Sequence, residues 1–240
     1  MIIVYKNLGE TPLEALERTR VAEGIAADVP MTYAGRLDPL VEGLMVILVG
    51  EECKSKDEYT GLSKTYEFEI LSGLSTDTYD LLGLITETKL AAQLYIEKVK
   101  EYLEENKKTI IQKYPPYSSK TVDGKQLHQH AREGSLPEVV HEVSMQSWEF
   151  LGERTLQAQE VLKIIEERIK LVHGDFRQEE ILKKWNEVLG SQKTELQITK
   201  WRVNVSSGFY IRQLVQDIGK QFNVPAVTFY IKRTKIGDFS

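Results

Sequence analysis

The chain has 240 residues and a net charge of −5 at pH 7, long enough for a sizeable core in one large domain or two modest ones. No apolar run approaches the length of a membrane span, and the opening MIIVYKNLGE has no basic region ahead of an apolar one, so neither signal nor transit peptide is expected. The single cysteine, Cys53, leaves no partner for an intrachain disulfide and no Cys-rich zinc site, which fits a reducing cytoplasm.

Residues 2–6 predict a strand. Thr11 as N-cap and Pro12 at the first helical position then open a helix carrying Leu13, Leu16 and Val21. The stretch TYAGRLDPLVEGLMVILVG is a polar turn running into a continuous apolar strand at 44–49, so Arg36 and Asp38 sit at the lip of a buried sheet. KTYEFEILSG alternates and predicts a strand with Tyr66, Phe68 and Ile70 on one face. STDTYDLLG is turn-rich, residues 90–103 read as a helix, and YPPYSS is irregular because its prolines fit neither a ladder nor a helix interior.

From 156 to 189 the pattern predicts two helices, broken at VHGD. The first carries Leu162, Ile165, Ile169 and Val172; the second carries Ile181, Leu182, Trp185 and Leu189. The near-balanced charge of this αα-hairpin suggests an inserted structural element. LQITKWRVNVSS predicts a strand, GFYIRQLVQDIGKQF a helix with Ile211, Leu214, Val215, Ile218 and Phe222 on its apolar face, and AVTFYIKRTKIG a final strand. Strands and helices mix without βαβ alternation, so the expected class is α+β with a mixed, mainly antiparallel sheet flanked by helices.

Charge is distributed unevenly. Residues 1–80 carry 7 basic and 15 acidic side chains, whereas 196–240 carry 7 basic and 2 acidic. Between them, residues 106–132 hold six Lys or Arg against one acid, Asp123, with Tyr114 and Tyr117 interleaved. Such a segment either binds a phosphate backbone or is a solvated surface loop. Metal binding is disfavoured: His128 and His130 fall on different helix faces, and His141 and His173 have no ligand at suitable spacing. Phosphate-cradling glycine loops and a serine-hydrolase elbow are absent. Asp38 alone could be an ordinary turn aspartate before proline.

GRLDPLVEGLMVILVGEECK resembles the central motif of the TruB family of tRNA pseudouridine synthases, and the likeness continues in order. KTYEFEILSGLSTDTYDLLGLI is similar to its K-x-Y strand and T-D-T-x-D turn. YPPYSSKTVDGKQLHQHAREG resembles its P-P-x-x-S segment, SSGFYIRQLVQDIG its S-x-G-T-Y-I-R motif, and FYIKRTKIGDF its closing strand. The resemblance covers nearly the whole chain except residues 152–193, the hairpin expected as an insertion.

The resemblance implies a single pseudouridine synthase domain over 1–240, with residues 106–137 as a thumb-like RNA-binding segment. Its implied activity is isomerisation of uridine-55 in the TΨC loop of tRNA, after the base is flipped out of its stack. It implies Asp38 as nucleophile or base, Arg212 as its partner, and Tyr66 as the ring on the target base. Without the resemblance Arg212 would read as a helix-surface arginine and Tyr66 as core. Substrate contacts are implied at Tyr210, Ile231, Arg36, Lys64, Lys120, Lys232 and Arg233. Tyr33 stands where the family has a histidine that helps flip the base, and an aromatic plane there could stack instead. No cofactor or metal is implied. The expected partner is the tRNA T-arm, with no membrane and no guide RNA, and a cytoplasmic monomer is expected. Many relatives carry a PUA domain after the last strand; none is expected here. The alternatives are a synthase acting on another RNA and a non-catalytic tRNA-binding or folding chaperone.

Overall fold

The computed structural model describes residues 1–240 apart from Ser119, Asp123 and Leu136, and apart from the side chains of His128, Ala131 and Arg132. Part of the thumb-like segment 106–137, and His128 as a ligand candidate, thus lie outside the described residues. The elements in chain order begin with β1 (Ile2–Lys6), α1 (Pro12–Ala22), β2 (Met31–Ala34), β3 (Val41–Val49), α2 (Lys56–Gly61), β4 (Lys64–Ser72), β5 (Leu74–Thr76) and β6 (Ile85–Thr88). The middle of the chain forms α3 (Ile96–Glu105), β7 (Lys108–Lys113), β8 (Thr121–Val122), β9 (Lys125–Gln126), α4 (Leu127–Arg132) and β10 (Val140–Gln157). Last come α5 (Ala158–Lys170), α6 (Gln178–Leu189), β11 (Glu195–Val205), α7 (Ile211–Phe222) and β12 (Ala226–Ile236).

One large sheet runs β1-β3-β12-β4-β11-β10-β7, with β2 added beside β3. Its pairings are antiparallel except between β3 and β12. That is the mixed, mainly antiparallel sheet expected of the sequence. Period-two alternation divides β4 and β11 between two cores. Phe68, Ile70, Trp201 and Val203 face α3 and α7, while Leu71, Leu196 and Ile198 face α5 and α6.

Local chemistry sets the helix ends. Thr11 accepts from Glu14 N at 3.2 Å while the Glu14 carboxylate accepts from Thr11 N at 2.6 Å, closing a capping box with Pro12 behind it. Helix α7 stops at Asn223, which adopts φ +54° and donates its N–H to Gly219 and Lys220.

Two expectations are corrected. The helix read at 90–103 begins only at Ile96, because buried Gln197 grips both backbone groups of Leu94, at 2.8 and 3.1 Å, and holds it outside the helix. The hairpin read over 152–193 is narrower: residues 152–157 continue β10 to Gln157, paired to β11. The hairpin is packed into the body of the protein. Val161, Ile165, Ile169, Ile181, Trp185 and Leu189 are buried against Leu40, Leu71, Leu82 and Phe229, and Trp185 donates to Leu81 O at 3.3 Å. Each such side chain contributes about 1.5–3 kcal/mol, so α5 and α6 complete one face of the sheet.

Candidate active site

A cleft of about 260 Å³ opens where the 35–38 turn, the start of α7 and strands β4 and β12 meet. Asp38 stands on its wall. Arg212, two residues into α7, reaches it with Nε and Nη2, both 2.9 Å from Oδ2. The arginine side chain is 4% exposed and the aspartate 35%, so a buried cation holds a carboxylate that still meets solvent.

The guanidinium has further partners. Nη1 donates to Thr78 O at 2.7 Å, Nη2 to Tyr117 O at 3.1 Å, and Nε lies 3.7 Å from Asp80 Oδ2. Burial opposes the charge on Arg212, but Asp38 and Asp80 outweigh it and hold the guanidinium above its ordinary value. Asp80 is itself enclosed; burial pushes its carboxyl up against the pull of Arg212 and the Thr78 hydroxyl. Its Oδ1 accepts from Thr78 Oγ1 at 2.7 Å and from Leu82 N at 2.9 Å. Arg212 therefore sits between two carboxylates, of which only Asp38 faces the cleft.

Two further cations fix the turn that carries Asp38. Gly35 takes φ +83°, a conformation open to a residue without Cβ, and its carbonyl accepts from Arg233 Nη2 at 3.0 Å. Arg233 Nε also binds Leu44 O at 2.7 Å. On the other side, fully buried Lys6 donates to Asn7, Glu10 and Pro39 carbonyls at 2.9, 2.5 and 3.3 Å.

The remaining expected site residues divide. Tyr66, Tyr210, Ile231, Arg36, Lys64 and Arg233 line the cleft with Asp38 and Arg212. Tyr33 and Arg36 line an adjoining hollow of about 500 Å³ with Phe176 and Arg177 of the loop between α5 and α6, and Arg36 Nη2 donates to Tyr33 Oη at 3.3 Å. Lys120 is exposed, its Nζ 5.4 Å from the Tyr114 ring; that ring stacks on His141 at 3.9 Å and meets Tyr210 edge-on at 5.6 Å. Lys232 falls away from the cleft. Strand alternation sends it to the other face from Ile231 and Arg233, with Nζ 5.5 Å from the Tyr5 ring. The positive charge of 106–132 is also smaller than its count, because Lys107, Lys113 and Lys125 pair with Glu104, Glu138 and Glu133 at or beyond its edges.

Sequence reasoning gave no role to Asp80, Lys6 or Gln112. Asp80 lay within the quoted T-D-T-x-D turn, whose spacing was the available signal. Lys6 fell at the end of the strand expected over 2–6, and nothing local marks it as buried.

The site is thus a carboxylate on an aromatic and aliphatic slot, steered by a buried guanidinium. Overall fold comparison gives the class. The chain superposes on a subunit in "Crystal Structure of a Cbf5-Nop10-Gar1 Complex" with a TM-score of 0.58 at 16% identity, covering 99% of this chain and 49% of that one. It does so on "Structure of H/ACA RNP bound to a substrate RNA containing 2'-deoxyuridine" with a TM-score of 0.56 at 15% identity, covering 99% and 48%. These likenesses show the pseudouridine synthase fold. The family described as "TruB family pseudouridylate synthase (N terminal domain)" matches residues 29–152. The chain is 28% identical over 239 residues to "tRNA pseudouridine synthase B" of Aquifex aeolicus, spanning 100% of this chain and 69% of that protein. It is 30% identical over 237 residues to the protein of the same name from Ligilactobacillus salivarius, spanning 98% and 67%. The chain belongs to the TruB family of pseudouridylate synthases.

Proposed function

We propose that this protein isomerises uridine to pseudouridine at position 55 in the TΨC loop of tRNA. The carrying observation is the Asp38 carboxylate, held 2.9 Å from buried Arg212 on the wall of an open cleft. Relatives named for tRNA pseudouridine synthase support tRNA as the substrate.

The reaction breaks N1–C1′, turns the base and joins C5 to C1′; C5 loses a proton and N1 gains one. It needs no redox change, so no cofactor is invoked. A carboxylate can attack C1′, add to C6 or remove a ribose proton, and each role requires it ionised and oriented. Arg212 orients it through paired N–H donors, Nε and Nη2, and sets a fixed positive charge beside it. Tyr66 stacks on the uracil over Ile231, and Tyr210 closes the slot. A base within a folded loop must be swung out to reach it, and Tyr33 fills the gap left behind. The reading carries with it a cytoplasmic, monomeric enzyme that uses no guide RNA, with residues 106–137 gripping the T-arm.

The test is to incubate the protein with an unmodified tRNA transcript and map pseudouridine by carbodiimide primer extension. A single new stop one nucleotide 3′ of position 55 supports the reading. Product confined to another RNA would overturn the substrate, and tRNA binding without product would overturn the activity.

A further inference from the structure

At the end of the cleft that Thr60, Lys64, Ser206 and Ser207 line, two buried cations lie together with no carboxylate paired to either among the described residues. Lys64 is 4% exposed and Arg233 1%. Their proximity is fixed by Gly35: a Cβ placed there would meet Arg233 Nη1 at 3.4 Å and Lys64 Cε at 3.8 Å. Neither forms a salt bridge among the described residues.

Their partners are carbonyls. Lys64 Nζ donates to Thr60 O and Leu62 O, each at 2.5 Å, which occupies two of its three protons. Lys6 makes a useful contrast. It is as deeply buried, but Glu10, Asp38, Glu42 and Glu14 all act on it with opposite charge. The charged neighbour acting on Lys64 is another cation, Arg233. Unpaired buried charge is costly unless a ligand compensates it. The Thr60 hydroxyl adds a second, separate signal, being buried and without a hydrogen-bond partner among the described residues. Ser207 Oγ turns instead to Thr60 O at 2.6 Å, which leaves the threonine hydroxyl itself spare.

We infer that this end of the cleft is an anion subsite, in which Lys64, Arg233 and the Thr60 hydroxyl take the oxygens of a phosphodiester flanking the target nucleoside. This rests on the RNA-directed reading above. The cleft then has a division of labour: an apolar slot for the base, Asp38 beside the ribose, and a cationic end for the phosphate. Anchoring the phosphate limits how the flipped nucleoside can lie, so that the glycosidic bond faces Asp38.

The test is equilibrium filter binding of a T-arm stem-loop RNA at fixed salt. Single methylphosphonates replace, in turn, the linkages 5′ and 3′ of the target uridine. Wild-type protein should lose about ten-fold or more in affinity at one linkage, as expected when a charge-assisted contact is removed. Lys64→Met and Thr60→Val should weaken binding of unmodified RNA and lose little more on that same methylphosphonate RNA. Urea denaturation reports whether Lys64→Met is folded; Thr60→Val and the wild-type scan decide the matter if it is not. Tolerance of both methylphosphonates within two-fold, or losses that simply multiply, would overturn the subsite. So would millimolar inorganic phosphate displacing RNA while neither methylphosphonate matters, since the site would then hold a free anion. Binding is read separately from turnover: a linkage-specific loss without pseudouridine formation would refute the activity and leave the subsite standing.

Discussion

Gln112, 1% exposed on β7, closes two hydrogen bonds with the backbone of Tyr210: Oε1 accepts from its N–H at 2.8 Å and Nε2 donates to its carbonyl at 3.0 Å. Tyr210 precedes α7, so the glutamine ties β7, the strand within the 106–137 segment, to the helix that presents Arg212. Replacing Gln112 by Leu strands both backbone groups. The expected cost is about 1–3 kcal/mol of stability, with kcat falling more than RNA affinity as Tyr210 and Arg212 lose their setting. Urea denaturation and single-turnover kinetics check the two halves.

Asp38→Asn should keep RNA binding and abolish pseudouridine formation. Arg212→Met should also abolish product, and it removes the cation between Asp38 and Asp80. Breaking such a buried pair costs about 3–5 kcal/mol, so Arg212→Met should melt markedly lower while Asp38→Asn, at the more exposed partner, should not. Activity of Asp38→Asn near that of the parent would remove Asp38 from the mechanism.

The α5–α6 hairpin should behave as core. Trp185→Ala is expected to cost about 3–5 kcal/mol, because the indole is fully buried and donates to Leu81 O. A loss of unfolding free energy in urea of less than a third of that would mark the hairpin as a dispensable appendage.

Stability should rise and then fall with alkaline pH. Burial lowers both Lys6 and Lys64 from 10.5 to about 8. Between about pH 8 and 10.5 the unfolded chain binds more protons at these lysines than the folded one, so their contribution to unfolding free energy increases with pH. Burial raises Tyr5, Tyr102 and Tyr210 from 10.0 to about 12. Above pH 10 the folded state therefore holds the extra protons and stability declines. Urea titrations at pH 7, 9 and 11 should show the maximum in between, and Lys6→Met should flatten the rise.

Much of the architecture was legible because it follows from local rules. The alternation of KTYEFEILSG, the Thr11–Pro12 helix start and the apolar stripe of α7 specify elements whose buried faces leave one workable arrangement. The motif likeness brought Asp38, Arg212 and Tyr66 together before any distance was known. Local pattern failed where long-range partners overrode it. Residues 90–95 have helical spacing, yet a glutamine more than a hundred positions away occupies the backbone of Leu94.

Sequence by itself determined the family, the class of fold and the identity of the charged pair, since motif order and hydrophobic period are written along the chain. Tertiary structure alone decided that Asp80 is enclosed while Asp38 is open, that Lys232 points away from the cleft, and that Lys64 and Arg233 share a chamber with no counter-charge among the described residues. Those outcomes depend on which backbone carbonyls and side chains from distant strands surround each charge. Burial and electrostatic balance are properties of that neighbourhood, and no local stretch of residues encodes them.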